Sequence, residues 1–443
     1  MMRTLKLKGS DRALLLSADT PPKRRCAMKF GVLMELQTPR PWTPESELNS
    51  WQNGLEQVEV ADRIGIDYLW QVEHHFLEEY SHSSASESFL AAASQRTRNI
   101  HLGSGVTLLP PPINHPARVA ERVGALDLLS RGRAEFGTGE SSSFSELDAF
   151  HVSREEKRAM WHEALGVICR MMVEEPFRGH EGKYIKFPPR NVIPKPIQKP
   201  HPPLWIACSR QETIVMAARM GAGALTFGFL SPADAQKWTR DYYATLEDCH
   251  PVGYAVNPNV GFLSGFICNR DGARARQLGF ENSTFFGYCF RHYYVDGHHQ
   301  PGQTNLWDKF RNTPAPELLR ILGGESNAPG CIGSPDEIRK VLLDYEASGV
   351  DQVIFIAQAG KLKHEDICES FELFGKTIVP EFKERDEKYV REKAKRLEPL
   401  IEKAMKRHVE PQIPDSYKDY AYNAGGENIR HFAYDPSKEQ KRA

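Results

Sequence analysis

From Met28 onward the chain alternates short apolar runs of β type with amphipathic helical stretches, and the alternation is carried through eight strands. That pattern restricts the fold to a parallel sheet covered by helices. The strand runs are Lys29–Met34, Tyr68–Val72, Ile100–Thr107, Ala134–Thr138, Leu204–Ala207, Ala224–Phe227, Val260–Ile267 and Gln352–Ile356. Between the first two, Leu48, Trp51, Leu55, Val58 and Ala61 recur at helical spacing until Gly65, with Thr43 and Pro44 read as N-cap and first helical position. Further helices are expected at 86–95, 116–129 and about 154–174. Eight strands alternating with helices favour a closed (β/α)8 TIM barrel of the α/β class over an open doubly wound sheet.

The flanks divide the chain into three parts. Residues 1–27 form a basic N-terminal arm with Arg3, Lys6, Lys8, Lys23, Arg24 and Arg25, and its apolar run Ala13-Leu14-Leu15-Leu16 is too short for a signal-peptide core. The barrel is expected over 28–382. It carries a long insertion between strands seven and eight, about 270–334, containing Phe285, Phe286, Tyr288, Phe290, His292, Tyr293, Tyr294, His298 and His299. Such a segment belongs at one rim, as a lid or an interface. Residues 383–443 read as a charged helix and polar tail, with a thin apolar stripe of Leu397, Leu400, Ile401 and Ala404, expected to pack weakly or to wrap a partner subunit.

Composition excludes several function classes. Among 443 residues the formal net charge is -1, which provides no overall basic field for nucleic acid. No stretch approaches the roughly 20 apolar residues that cross a bilayer. The eight cysteines are scattered singly, without the spacing of a zinc site or a redox pair, and read as free thiols of a cytoplasmic protein.

Chemistry concentrates where strand two ends. Glu73-His74-His75-Phe76 follows it directly, which in a (β/α)8 barrel is the carboxyl-end face that carries active sites. Paired imidazoles fit a metal site, but a metal barrel calls for His-x-His and a later Asp or Lys at a strand end, and neither occurs here. They also fit ordinary structural residues.

The segment Trp70-Gln71-Val72-Glu73-His74-His75-Phe76 resembles the strand-two signature of the bacterial-luciferase-like flavin-dependent monooxygenases. Leu102-Gly103-Ser104-Gly105-Val106-Thr107, Leu126-Asp127-Leu128-Leu129-Ser130-Arg131-Gly132-Arg133 and Ile332-Gly333-Ser334-Pro335 resemble family segments in the same order, so the resemblance covers about 28–382. It implies reduced FMN as cofactor, O2 as co-substrate, a separate NAD(P)H-dependent flavin reductase and a homo-oligomer. It also implies that His74, flanked by Glu73 and His75, acts beside the flavin as a general base or stabilises the oxygenated flavin. A neutral imidazole near pH 7 suits that role. Gly105 and Val106 match the strand end that lies against the flavin ring. Ser209, Arg210 and Thr213 match the phosphate segment, where backbone N–H groups, a helix N-terminus and a cation converge. Ser209 as an ordinary helix cap is the plain alternative.

One departure stands out against light-emitting members, which carry Cys-Arg at the end of strand four and Glu-Ser after strand five. Here those positions are Gly139-Glu140 and Ser209-Arg210. The expectation is a charge exchange in which Arg210 serves the phosphate and pairs with Glu140. Two rival functions remain, a deazaflavin-dependent hydride transfer and a non-catalytic flavin-binding subunit of a hetero-oligomer. Phe227, Phe229 and the lid aromatics point to an apolar substrate.

Overall fold

A computed structural model of the chain describes residues 28–321, 330–422 and 425. The expected basic arm and the end of the polar tail lie outside the described residues. Eight parallel strands form the barrel: β1 (Lys29–Met34), β2 (Tyr68–Gln71), β3 (His101–Ser104), β4 (Ala134–Gly139), β5 (Leu204–Cys208), β6 (Gly223–Thr226), β7 (Val260–Cys268) and β8 (Gln352–Ile356). Each pairs in parallel with its neighbour in chain order. Pairing of β8 with β1, Lys29 opposite Gln352 to Leu33 opposite Ile356, closes the ring.

The third strand departs from the continuous run expected over 100–107. It stops at Ser104, and Thr107–Leu108 pair separately with Thr138–Gly139. The interruption falls at Gly105, whose N–H bonds the Gln71 carbonyl at 2.7 Å.

Two apolar layers hold the barrel. Its interior is filled by Leu33, Trp70, Trp205, Leu225, Leu263 and Ile354. The indoles of Trp70 and Trp205 meet edge to face at 5.2 Å, and their N–H groups donate to Gln352 Oε1 and Glu135 Oε2. A larger layer lies between the strands and the surrounding helices, where Phe30, Phe266, Phe355, Phe371 and Phe374 pack together. Burial of these rings is the main stabilising contribution.

Local signals start and stop the helices. Helix α1 (Ser46–Ile64) ends at Gly65, whose φ of 92° is the left-handed conformation glycine adopts freely. Its N-cap is Glu45, not the expected Thr43, because Thr43 and Ser46 close a turn of their own through Thr43 N–H to Ser46 Oγ. Then come α2 (Ser86–Arg96), α3 (Pro116–Ser130), a short α4 (Phe144–Ala149), α5 (Lys157–Val173), α6 (Gln211–Arg219) and α7 (Pro232–Thr245). The insertion after β7 opens with α8 (Gly272–Arg291), which continues into a wider π turn at His292–Asp296. It goes on through α9 (Leu306–Asn312), α10 (Ala315–Ile321) and α11 (Pro335–Ser348), the last fixed by a Ser334–Glu337 capping box.

Helix α12 (His364–Thr377) completes the outer ring, and α13 (Val379–Met405) crosses the amino-end floor of the barrel. The charged extension was expected to pack weakly or to wrap a partner subunit; within this chain it is anchored by ion pairs. Lys383 reaches Asp67, Asp386 reaches Lys29, Arg385 reaches Glu346 and Lys393 reaches Asp351. Its charges meet partners at the amino ends of the barrel strands, so a polar stripe becomes a binding face.

Candidate active site

At the opposite, carboxyl end of the strands lies a partly open cavity. Its lining contains Glu73, His74, Gly105, Val106, Gly139, Glu140, Ser209, Arg210 and Thr213, so the strand ends bring together nine of the ten expected site residues. His75 is the exception. Its Nε2 lies 3.1 Å from Glu73 Oε1 and its ring meets Phe150 edge-on, outside the cavity lining.

Glu73 is a bracket rather than a free carboxylate. Its oxygens accept from the Leu108 N–H at 2.9 Å and from Asn114 Nδ2 at 2.7 Å, tying the strand-two end to the chain after Gly105. His74 is held from several sides. Nδ1 lies 3.1 Å from Glu146 Oε1, Nε2 lies 3.8 Å from Glu35 Oε2, and the Tyr294 hydroxyl lies 3.3 Å from Nδ1. The same Glu146 carboxylate accepts the His75 N–H at 3.0 Å and the Ser141 hydroxyl at 2.6 Å.

These surroundings overturn the expectation of a neutral imidazole. Burial opposes the charge, but the Glu35 carboxylate, the Glu146 hydrogen bond and charge, and Glu73 together raise His74 to about 9. Burial also works against Glu146, yet the bond and charge of His74, with Ser141 and the His75 N–H, keep it below the ordinary carboxylate range. Glu35 goes the other way. Burial pushes it up to about 7 against the pull of His74 and the Tyr80 and Ser81 hydrogen bonds. At neutral pH the centre of the cluster is an imidazolium fixed by the Glu146 carboxylate.

The far pole of the cavity is cationic. Ser209 and Arg210 precede α6, whose first turn is closed by Arg210 N–H to Thr213 Oγ1 at 3.2 Å. From the start of α5 come Lys157 and Arg158. Both pair with Glu140, Arg158 donating to Oε1 at 2.8 Å and Lys157 lying 3.3 Å away. The expected Glu140–Arg210 pair is therefore not formed. The start of α5 places two cations nearer to Glu140, and among the described residues Arg210 makes no ion pair. Burial lowers Lys157, opposed by Glu140, while the Arg158 bond and the Lys157 charge hold Glu140 low against its own burial.

Between the poles the wall is bare. A Cβ at Gly139 would stand 2.5 Å from Val106 Cγ2, and one at Gly105 would stand 3.0 Å from Trp70 Cβ, so both positions have no room for a side chain. Ile206, Ala207, Met216, Phe227 and Phe290 add apolar surface. A flat ring system with an anionic tail fits this arrangement: the smooth wall at 105–106 and 139 accepts the ring, and α6, Arg210, Lys157 and Arg158 receive the tail. Glu35, Glu146, Lys157 and Arg158 were not among the expected residues, while Tyr294 was expected only as one of the lid aromatics. Their signal was weak, since Glu35 is one residue beyond β1 and the others sit on helices or the lid. Phe229, expected near the substrate, is 42 % exposed at the rim.

Residues 28–352 match the family model of the luciferase-like monooxygenases, and the chain belongs to that family. It is 31 % identical over 340 residues to the uncharacterized protein y4vJ of Sinorhizobium fredii, covering 76 % of this chain and 93 % of that protein. It is 22 % identical to the oxygenase component of the flavin-dependent trigonelline monooxygenase of Acinetobacter baylyi, covering 81 % and 96 %. Among solved structures, monooxygenase RslO1 of Streptomyces bottropensis superposes with a TM-score of 0.65 at 25 % identity, covering 80 % of this chain and all of that one. Two structures of lower identity share the fold. One is the oxygenating constituent of 3,6-diketocamphane monooxygenase from Pseudomonas putida in complex with FMN, with a TM-score of 0.62 at 20 % identity and covering 80 % and 98 %. The other is a secondary alcohol dehydrogenase dependent on a deazaflavin coenzyme, with a TM-score of 0.60 at 16 % identity and covering 79 % and 98 %. The chain is an enzyme of the luciferase-like monooxygenase class.

Proposed function

We propose that this enzyme is the oxygenase of a two-component system, which takes FMN already reduced by a separate NAD(P)H-dependent reductase and uses O2 to oxidise a small, largely apolar molecule. The observation that carries the reading is the polarity of the cavity, with a cationic helix-capped pole at one end, a charged His74 at the other and an apolar wall with glycines at 105 and 139 between. FMN has the matching shape, a phosphate tail and a flat ring. The chain has no Gly-x-Gly-x-x-Gly nicotinamide fingerprint, consistent with electrons that arrive on the flavin.

In this reading Ser209, Arg210 and Thr213 receive the phosphate with the α6 N-terminus, and Lys157 and Arg158 add charge from α5. Gly105, Val106 and Gly139 admit the ring. When bound, reduced FMN supplies the two electrons that activate O2, one oxygen atom going to the substrate and the other to water. The protein supplies the proton. His74, held as an imidazolium by Glu146, presents Nε2–H to oxygen on which negative charge develops. Tyr294 and Phe290 from the lid line the cavity on this side.

The test is a parallel titration with FMN, with reduced FMN under anaerobic conditions and with a deazaflavin coenzyme, followed by admission of air. Tighter binding of reduced FMN, and reoxidation by O2 at a rate altered in His74→Ala, supports the oxygenase. Preference for the deazaflavin moves the activity to hydride transfer. Absence of binding by all three overturns a flavin enzyme altogether.

A further inference from the structure

Glu35 has no part in the scheme above, although it is a deeply buried carboxyl group of the site. It stands one residue beyond β1, is 2 % exposed and lines the cavity. Its Oε1 accepts the Tyr80 hydroxyl at 3.3 Å. Its Oε2 has no hydrogen-bond partner among the described residues. A buried carboxyl oxygen left unmatched is destabilising, and inside a cavity it is placed to meet a ligand atom.

The neighbour of that orphan oxygen is His74, whose Nε2 has only a long contact, 3.5 Å, with the Tyr294 hydroxyl. His74 spends Nδ1 on Glu146, while Nε2 lies 3.8 Å from Glu35 Oε2, too far for a direct hydrogen bond. One oxygen atom placed about 2.8 Å from each would fit over that gap. It would accept from Nε2–H and donate to Oε2. Above about pH 7, where Glu35 is ionised, the groups facing it, the Tyr80 hydroxyl and the imidazolium, are donors, and its free oxygen is an acceptor. A carbonyl or ether oxygen has no proton to give it, and a hydroxyl has one.

We propose that Glu35 and His74 together seat a hydroxyl group of the substrate, so that the molecule oxidised is a small apolar alcohol or phenol. The proposal rests on the oxygenase reading for the identity of the site. The same cavity suits the remainder of such a molecule, because Phe227, Phe290, Val106 and Leu108 contribute apolar surface to its lining. Glu35 would touch the substrate and so be a specificity-determining residue. Discrimination between hydroxyl and hydrogen is what a buried, otherwise unmatched pair does well, since the analogue lacking the hydroxyl leaves both protein groups unpaired.

The experiment uses three probes of similar outline, p-cresol, toluene and 4-methylanisole, titrated calorimetrically into the FMN-loaded enzyme. Wild type is expected to bind p-cresol at least tenfold more tightly than toluene, and more tightly than 4-methylanisole, which can accept a hydrogen bond and cannot donate one. In Glu35→Leu the preference for p-cresol is expected to vanish. Glu35→Gln, which retains an amide oxygen, keeps part of it. An unchanged p-cresol to toluene ratio in Glu35→Leu overturns the proposal, as does equal binding of p-cresol and 4-methylanisole by wild type. FMN affinity, measured on the same samples, reports separately on folding of each variant and on the flavin reading. A wild type that fails to hold FMN refutes that reading whichever probe binds.

Discussion

His74 sits between two carboxyl groups of opposite tendency, and its charge state follows from them. Raised from 6.5 to about 9, it contributes stability that is complete below pH 6.5 and is lost as pH rises through about 9. In an NMR titration its imidazole resonances should change near pH 9 in wild type and at lower pH in Glu146→Gln, which removes a nearby negative charge. A wild-type transition near 6.5 would refute the clamp. At the other pole, Lys157→Met and Arg158→Met should each weaken FMN binding by about tenfold while leaving riboflavin, which lacks the phosphate, nearly unaffected. Equal losses for both ligands would remove these cations from the phosphate site. His74 was legible in the sequence because it follows a strand, and strand ends are where a barrel places its chemistry, whereas Gly105 and Ser209 came from the family resemblance. Lys157 and Arg158 were not, since nothing local marks which face of α5 meets the cavity. The pairing of Glu140 was misread for the same reason, as its partner is decided by where α5 begins in space.

Strand positions were readable to within a residue or two because apolar β-type runs between helices have few other uses. The break in the third strand was hidden, since Ile100–Thr107 is continuous in pattern and the change of path depends on contacts to β2 and β4. Helix α4 was also missed. It is six residues long and follows three serines, a stretch whose composition reads as loop, yet it carries the Glu146 that fixes His74. Close approach between strands gives a test at this scale. A Cβ at Gly137 would lie 2.0 Å from the Ser104 carbonyl oxygen, a backbone atom that cannot swing aside. Gly137→Ala should therefore cost about 3 kcal/mol. Gly166, inside α5, has nothing within 4 Å of its added Cβ, and Gly166→Ala should gain about 0.5–1 kcal/mol from helix propensity. Urea unfolding of the two variants beside wild type decides the matter, and shifts of the same sign would mean that the strand contact relaxes freely.

The whole molecule divides its labour between the two ends of the barrel, with the cavity at the carboxyl end and the α13 clasp at the amino end. The sequence showed α13 as a charged stripe, and a stripe of that kind is indistinguishable from a solvated face until the carboxylates beneath it are placed by the fold. Asp351 is the clearest of these. It is 3 % exposed, its Oδ2 accepts the Val260 N–H at 2.9 Å, and its Oδ1 lies 2.7 Å from Lys393 Nζ. Removing the lysine charge leaves a buried carboxylate with neutral donors alone. Lys393→Met, which keeps the aliphatic stem, should thus lower stability by about 3 kcal/mol. Arg391, two residues earlier on the same helix, pairs with Glu387 in full contact with water, and Arg391→Met should change stability by less than about 0.5 kcal/mol. A large, pair-specific difference between the two urea midpoints identifies α13 as part of the barrel's foundation. Equal, small effects would return it to the role of a solvated appendage, with Asp351 held by Val260 and Tyr243 without help from the clasp.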